Sequence, residues 1–61
     1  MKLSGYFTWK IGYTVTVDGV NGVPVTIKKY YTTRASHMSG AIRKFMQEIP
    51  AYDEINTVTK I

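Results

Sequence analysis

The chain has 61 residues, no cysteine, one histidine and a formal net charge of +4. A domain this short buries only about 60% of its unfolded surface, so residues 1–61 are expected to form one domain with one small core. The absence of cysteine excludes disulfides and thiolate metal ligands. A single histidine is too little for a structural metal site, and we expect neither a metal nor a cofactor. The basic charge favours anionic partners.

The N-terminal third has no continuous apolar segment, because its apolar residues alternate with polar ones. We therefore expect no signal peptide, no membrane span and a cytoplasmic protein.

Residues 6–17 alternate strictly between apolar and polar side chains, which is typical of a strand with one buried and one solvated face. The odd positions are all apolar: Phe7, Trp9, Ile11, Tyr13, Val15 and Val17. This long amphipathic segment is predicted to be the central strand.

A hairpin is predicted next, because Asp18-Gly19 and Asn21-Gly22 supply the backbone conformations that tight turns require. The second strand is predicted over residues 23–33, with Pro24 indicating an edge strand. Placing Val17 opposite Val23 sets Lys10 opposite Tyr30. A bulge is expected within residues 28–31, where the alternation is interrupted.

The apolar period changes after residue 36 to that of a helix. Ser36 is the predicted N-cap, and Pro50 ends the helix after Ile49. Gly40 inside it suggests a close approach to the sheet. The apolar helix face consists of Met38, Ala41, Ile42, Phe45, Met46 and Ile49.

Residues 55–61 form a third predicted strand, whose two-residue phase the sequence leaves open. The first strand is the most apolar and should have two neighbours. The predicted fold is therefore α+β, with ββαβ order: a three-stranded antiparallel sheet in order 2-1-3 and one helix packed on one face. The predicted core consists of Trp9, Ile11, Tyr13, Val15, Ile27, Met38, Ile42, Phe45 and Ile49.

This topology separates the charges. All the acidic residues are expected at the end that carries the hairpin loop, forming an acidic tip of Asp18, Glu48, Asp53 and Glu54. Lys2, Arg34 and Lys60 are expected at the opposite end.

The face of the sheet away from the helix is a candidate binding face. Basic and aromatic residues alternate there and could hold phosphates and stack bases of single-stranded nucleic acid. The same residues are also ordinary solvated strand residues. The candidates are Tyr6, Lys10, Lys28 and Tyr30.

The predicted helix start holds Arg34, Ser36 and His37, which could bind an anion through backbone N–H groups. An ordinary helix cap explains the same residues, and we favour it. A catalytic His37 would need an orienting carboxylate, and the acidic residues are expected at the other end. We therefore expect no enzyme.

Length, element order and the helix entry Ala35-Ser36-x-x-x-x-Ala41-Ile42 resemble those of small phage-encoded accessory and inhibitor proteins of strand-strand-helix-strand order. The resemblance implies a compact protein that binds a larger macromolecule and blocks or adapts it, in the host cytoplasm if the chain is phage-encoded. A phage inhibitor of this kind is acidic whereas this chain is basic, so no functional residue is carried over.

The expected function is thus non-enzymatic binding of another protein, with single-stranded nucleic-acid binding as the alternative. Weak homodimerisation is also expected, because the second and third strands are both sheet edges.

Overall fold

A computed structural model describes residues 5–61. Residues 1–4, including Lys2, lie outside the described residues. Strand β1 spans Phe7–Asp18, β2 Pro24–Ala35 and β3 Glu54–Lys60, and helix α1 spans Met38–Glu48. The sheet is antiparallel with order β2-β1-β3. The predicted fold class, element order and strand order are confirmed. No helix within residues 5–61 is long and apolar enough to cross a membrane.

The hairpin loop forms as the Asn-Gly pair predicts. A short 3-10 turn over Val20–Gly22 places Asn21 at φ 59° and Gly22 at φ 73°, the left-handed region that these two residues tolerate best. The Gly19 N–H donates to the Val23 carbonyl at 2.7 Å and closes the loop.

The predicted β1–β2 register was wrong by two residues. Val17 lies opposite Val25 rather than Val23, and Lys10 lies opposite Thr32 rather than Tyr30. The loop has the five residues that the prediction assumed, but it lies one residue further along the chain: Asp18 pairs with Pro24, so residues 19–23 rather than 18–22 form it. A two-residue shift preserves the side-chain period of the strand, so every side chain keeps its predicted face.

The expected bulge within residues 28–31 is absent, because β1 and β2 pair without interruption. The irregularity lies between β1 and β3: Gly12 pairs with Thr57 and Tyr13 with Ile55, which leaves Asn56 as the extra residue. This bulge explains why the sequence did not show which residues of the third strand face the core. Ile55 and Val58 have opposite parity, and yet both pack against the core.

The core forms where α1 crosses the middle of the sheet, and Phe45 is its centre. The fully buried Phe45 ring makes edge-to-face contacts with Tyr13, Tyr31 and Tyr52, at centroid distances of 4.8, 5.7 and 4.9 Å. Each such contact contributes about 0.5–1.5 kcal/mol beyond area burial. The buried core consists of Trp9, Ile11, Tyr13, Ala35, Ala41 and Phe45.

Two hydrogen bonds hold the end of β2, one from the core residue Trp9 and one from an exposed side chain of α1. The Trp9 indole N–H donates to the Ala35 carbonyl at 2.9 Å. The Lys44 ammonium donates to the Arg34 carbonyl at 2.7 Å. These bonds fix the point at which the chain leaves the sheet for the helix.

The core prediction was wrong at Ile27 and Met38, which are both exposed. Ile42, also predicted, is half-buried and does not belong to the core cluster. Ile27 lies beyond the part of the sheet that α1 covers, and Met38 is the first helical residue. The small residues Ala35 and Ala41 are buried instead, because the helix start lies close to the end of β2. At Gly40 a Cβ would lie 3.4 Å from the Ala35 Cβ. Alanine would therefore make an ordinary van der Waals contact there.

The helix start also differs from the prediction. The N-cap is His37 rather than Ser36, and no side-chain hydrogen bond caps the helix. The His37 carbonyl accepts the first helical hydrogen bond from the Ala41 N–H at 3.1 Å. Buried Ala41 and Phe45 thus determine where the helix begins, rather than a capping hydroxyl.

The molecule is elongated, with extents of 56 × 19 × 14 Å and a radius of gyration of 14.3 Å. A compact chain of this length would have a radius of gyration of about 10–11 Å. The difference arises because the 12-residue strands β1 and β2 are each about 40 Å long, whereas the 11-residue helix is only about 16 Å long.

Replacing Phe45 by alanine should remove most of the stability of the domain. We expect a loss of about 3–5 kcal/mol, because the cavity lies among three aromatic rings. Thermal unfolding monitored by circular dichroism measures this loss. Phe45→Leu, which leaves a smaller cavity, keeps the comparison measurable if the alanine variant is unfolded.

Met46→Ala is the matched control, since Met46 is the next helical residue and is half exposed. Its melting temperature should stay close to that of the wild type. Equal shifts for the two alanine variants would contradict the position of the core.

Candidate binding surfaces

The distal half of the β1–β2 hairpin, residues 15–27, projects beyond the rest of the molecule, and we call it the ribbon. Strand β3 pairs with β1 only from Trp9 to Thr14. The core that α1 covers likewise contains no residue of the ribbon, although Val15 packs against its margin. The ribbon is therefore a two-stranded structure joined to a packed base.

The ribbon carries an exposed apolar face on the side of the sheet where α1 lies. Val15 pairs with Ile27 and Val17 with Val25. Val17 is 42% exposed, Val25 45% and Ile27 38%. Cross-strand pairs of β-branched residues stabilise a hairpin by about 0.2–1 kcal/mol each. They therefore help the ribbon to form, while much of their apolar surface stays in contact with water.

Acidic side chains lie along the β1 edge of the ribbon. The Asp53 N–H donates to the Thr14 carbonyl at 2.8 Å, and the Asp53 carboxylate accepts a hydrogen bond from the Thr16 hydroxyl. Glu54 is opposite Thr14, and Asp18 ends β1. Glu48 is the last residue of α1. The acidic residues therefore follow one side of the molecule from the helix end to the ribbon, and the hairpin turn extends beyond them.

The face of the sheet opposite α1, which we call the open face, brings three of the four candidate residues together. The Lys10 ammonium lies 4.5 Å from the centroid of the Tyr30 ring. Lys28 and Tyr30 line one shallow depression. Tyr6, the fourth candidate, is exposed and precedes the start of β1.

The depression on the open face has a volume of about 120 Å³. Its position follows from Gly12, where a Cβ would lie 2.6 Å from the Thr57 hydroxyl and 3.2 Å from the Tyr30 ring. The missing side chain thus lets the ring lie close to the backbone of the central strand. The lining residues are Gly12, Tyr13, Lys28, Lys29, Tyr30, Asn56 and Thr57.

The candidate residues at the helix start are exposed and do not converge. Ser36 and His37 form the bend between β2 and α1. Arg34 lies opposite Thr8, on the open face. Strand alternation therefore separates the Arg34 side chain from the helix start and adds it to the cations of the open face.

Sequence reasoning identified the open face but missed the ribbon as a separate surface. The alternation of β1 and β2 does not reveal how far the helix reaches along them. A length comparison would have found it, because two 12-residue strands extend well beyond the predicted helix.

The comparisons with known proteins supply no relative. No family model, no curated protein and no solved structure matches the chain.

Replacing Gly12 by alanine should destabilise the domain. The added methyl group would overlap the Thr57 hydroxyl and press on the Tyr30 ring, at a cost of about 1–3 kcal/mol. Chemical denaturation measures this loss. Adding Thr57→Ala to the variant should recover part of the lost stability, because it removes the atom nearest to the new methyl.

Gly5→Ala is the control, since a Cβ at Gly5 would meet nothing within 4 Å. This variant should be as stable as the wild type. A Gly12→Ala protein of unchanged stability would contradict the close packing of Tyr30 and Thr57 over the central strand.

Proposed function

We propose that this chain is a non-enzymatic binding protein that attaches to a larger protein through the ribbon and blocks or adapts it. The observation that carries the proposal is the exposed apolar face formed by Val17, Val25 and Ile27. Contiguous apolar surface bordered by polar residues is typical of protein–protein contact sites. Burying it gains about 25 cal/mol for each Å² removed from water.

The partner segment is best described as extended, apolar and basic. Beyond Thr14, β1 has no β3 residue beside it, so an added strand could pair with the backbone at residues 15–18. Side chains of that strand would meet the valines of the ribbon. Basic residues beside them would face Asp18, Asp53 and Glu54, and this charge complementarity would speed association.

The placement of the titratable groups favours binding over catalysis. His37 lies at the start of α1, and Asp53 lies beside Thr14 and Thr16 on β1. A general base and its orienting carboxylate need hydrogen-bond contact. Attachment to a larger protein is also the role that the resemblance to small phage accessory proteins implies, with the host cytoplasm as the location.

The test compares the wild type with the double variant Val17→Thr/Val25→Thr. Threonine keeps the β-branched shape and removes apolar surface. The variant should therefore fold but no longer bind the partner. The tagged proteins are incubated with lysate of the source cell, and captured proteins are identified by mass spectrometry. Titration calorimetry with the purified partner then measures the affinity.

Thr26→Val is the control, because Thr26 lies between Val25 and Ile27 on the opposite face of the same strand. It should retain the partner. Equal capture by the double variant would contradict the proposal. A wild-type dimer in sedimentation that the double variant abolishes would show that a second copy occupies the ribbon instead of a different protein.

A further inference from the structure

The open face combines three cations, one exposed aromatic ring and two neutral hydrogen-bonding residues. Lys10, Lys28 and Arg34 lie on this face of the sheet, and Tyr30 between them is 64% exposed. Asn56 and Thr57 complete the depression beside the ring. This surface is separate from the apolar face of the ribbon, which lies on the other side of the sheet.

We propose that the open face binds single-stranded nucleic acid. The cations contact phosphates along the strand, one base stacks on Tyr30, and Asn56 and Thr57 contact base edges. A basic track with an aromatic stacking platform is the combination that recognises single strands without strong sequence preference.

The Tyr30 ring is held in place before any ligand binds. Gly12 lets it lie close to the central strand, and Lys10 contacts the ring through its ammonium at 4.5 Å. A cation–π contact at an exposed site is weaker than stacking of a base on an aromatic ring. A base therefore displaces the Lys10 ammonium, which moves to the neighbouring phosphate and keeps an anionic partner.

The dimensions of the surface fit an extended ligand. The depression of about 120 Å³ is well below the roughly 300–1,000 Å³ of pockets that enclose small molecules. Lys28 is level with Thr14, and Arg34 is level with Thr8. These two cations are therefore about 20 Å apart along the sheet, and a site of about four nucleotides spans such a distance.

Acidic residues limit where the nucleic acid can bind at the ribbon end of the open face. Glu54 lies opposite Thr14 on β3, and Asp18 ends β1. Both carboxylates repel phosphates, so the bound strand stays between Lys28 and Arg34 and does not extend over the ribbon. A duplex is a poorer ligand, since its paired bases cannot reach the Tyr30 ring.

Fluorescence anisotropy with a labelled mixed-sequence 12-nucleotide DNA at 50 mM salt tests the proposal. The wild type should bind, and the logarithm of its affinity should fall against the logarithm of salt with a slope of about −2, the value for three phosphate contacts. Tyr30→Leu should weaken binding about tenfold, whereas Tyr30→Phe keeps the ring and should bind as the wild type does.

Lys28 and Arg43 provide a matched pair, because Lys28 lines the depression and Arg43 is an exposed residue of α1, on the other side of the sheet. Lys28→Glu and Arg43→Glu change the net charge equally. Lys28→Glu should weaken binding about tenfold or more, and Arg43→Glu less than about threefold. Circular dichroism confirms that both variants are folded.

Three results would overturn the proposal: no binding at 50 mM salt, equal losses for Lys28→Glu and Arg43→Glu, or equal affinity for a duplex of the same sequence. The ribbon variant Val17→Thr/Val25→Thr should bind the oligonucleotide as the wild type does. This result separates the open face from protein binding by the ribbon, so either proposal can fail without the other.

Discussion

The structure depends on a mismatch of length between the hairpin and the elements that cover it. The single 11-residue helix, which packs on the sheet through the buried Phe45 ring, covers only the base of a hairpin with 12-residue strands. Strand β3 has seven residues and pairs with the same part of β1. Burial, aromatic packing and the Trp9 hydrogen bond are therefore concentrated in one half of the molecule. The other half keeps its shape through strand pairing and loop geometry, with only Val15 packed against the core and the Thr16 hydroxyl bonded to Asp53.

This division gives the small chain two kinds of surface. On the side of the sheet that bears α1, the side chains of β1 are apolar throughout, but the helix covers only part of this side, so the ribbon presents valines to water. The opposite side is polar and basic, and Tyr30 lies there over Gly12 with Lys10 beside it. A chain of 61 residues has little volume for an enclosed pocket, and extended surfaces are what it can offer to a partner. The two proposed partners would occupy opposite faces of one sheet.

Local patterns predicted the fold because each element carried its own signal. The alternation of β1, the Asn21-Gly22 turn and the helical period around Phe45 were sufficient for element order and strand order. Features that depend on distant residues were not accessible. The register depended on how the turn closes, and the bulge at Asn56 on the pairing of β3. The register error did not affect which residues were assigned to the open face, because a shift of two residues leaves every side chain on the same face of the sheet. Tyr30 was predicted opposite Lys10 and lies opposite Gly12, on that same face.

Amide hydrogen exchange measured by NMR on the isolated protein tests the division into a packed base and an uncovered ribbon most directly. Ile11 and Val17 provide the comparison, since both belong to β1 and lie opposite β2 residues, Tyr31 and Val25. Ile11 is fully buried, whereas Val17 is not. The Ile11 amide should exchange only through global unfolding, and the Val17 amide should exchange much faster, through local opening of the ribbon. Equal protection of the two amides would show that the hairpin unfolds as one unit with the core, and would contradict this account.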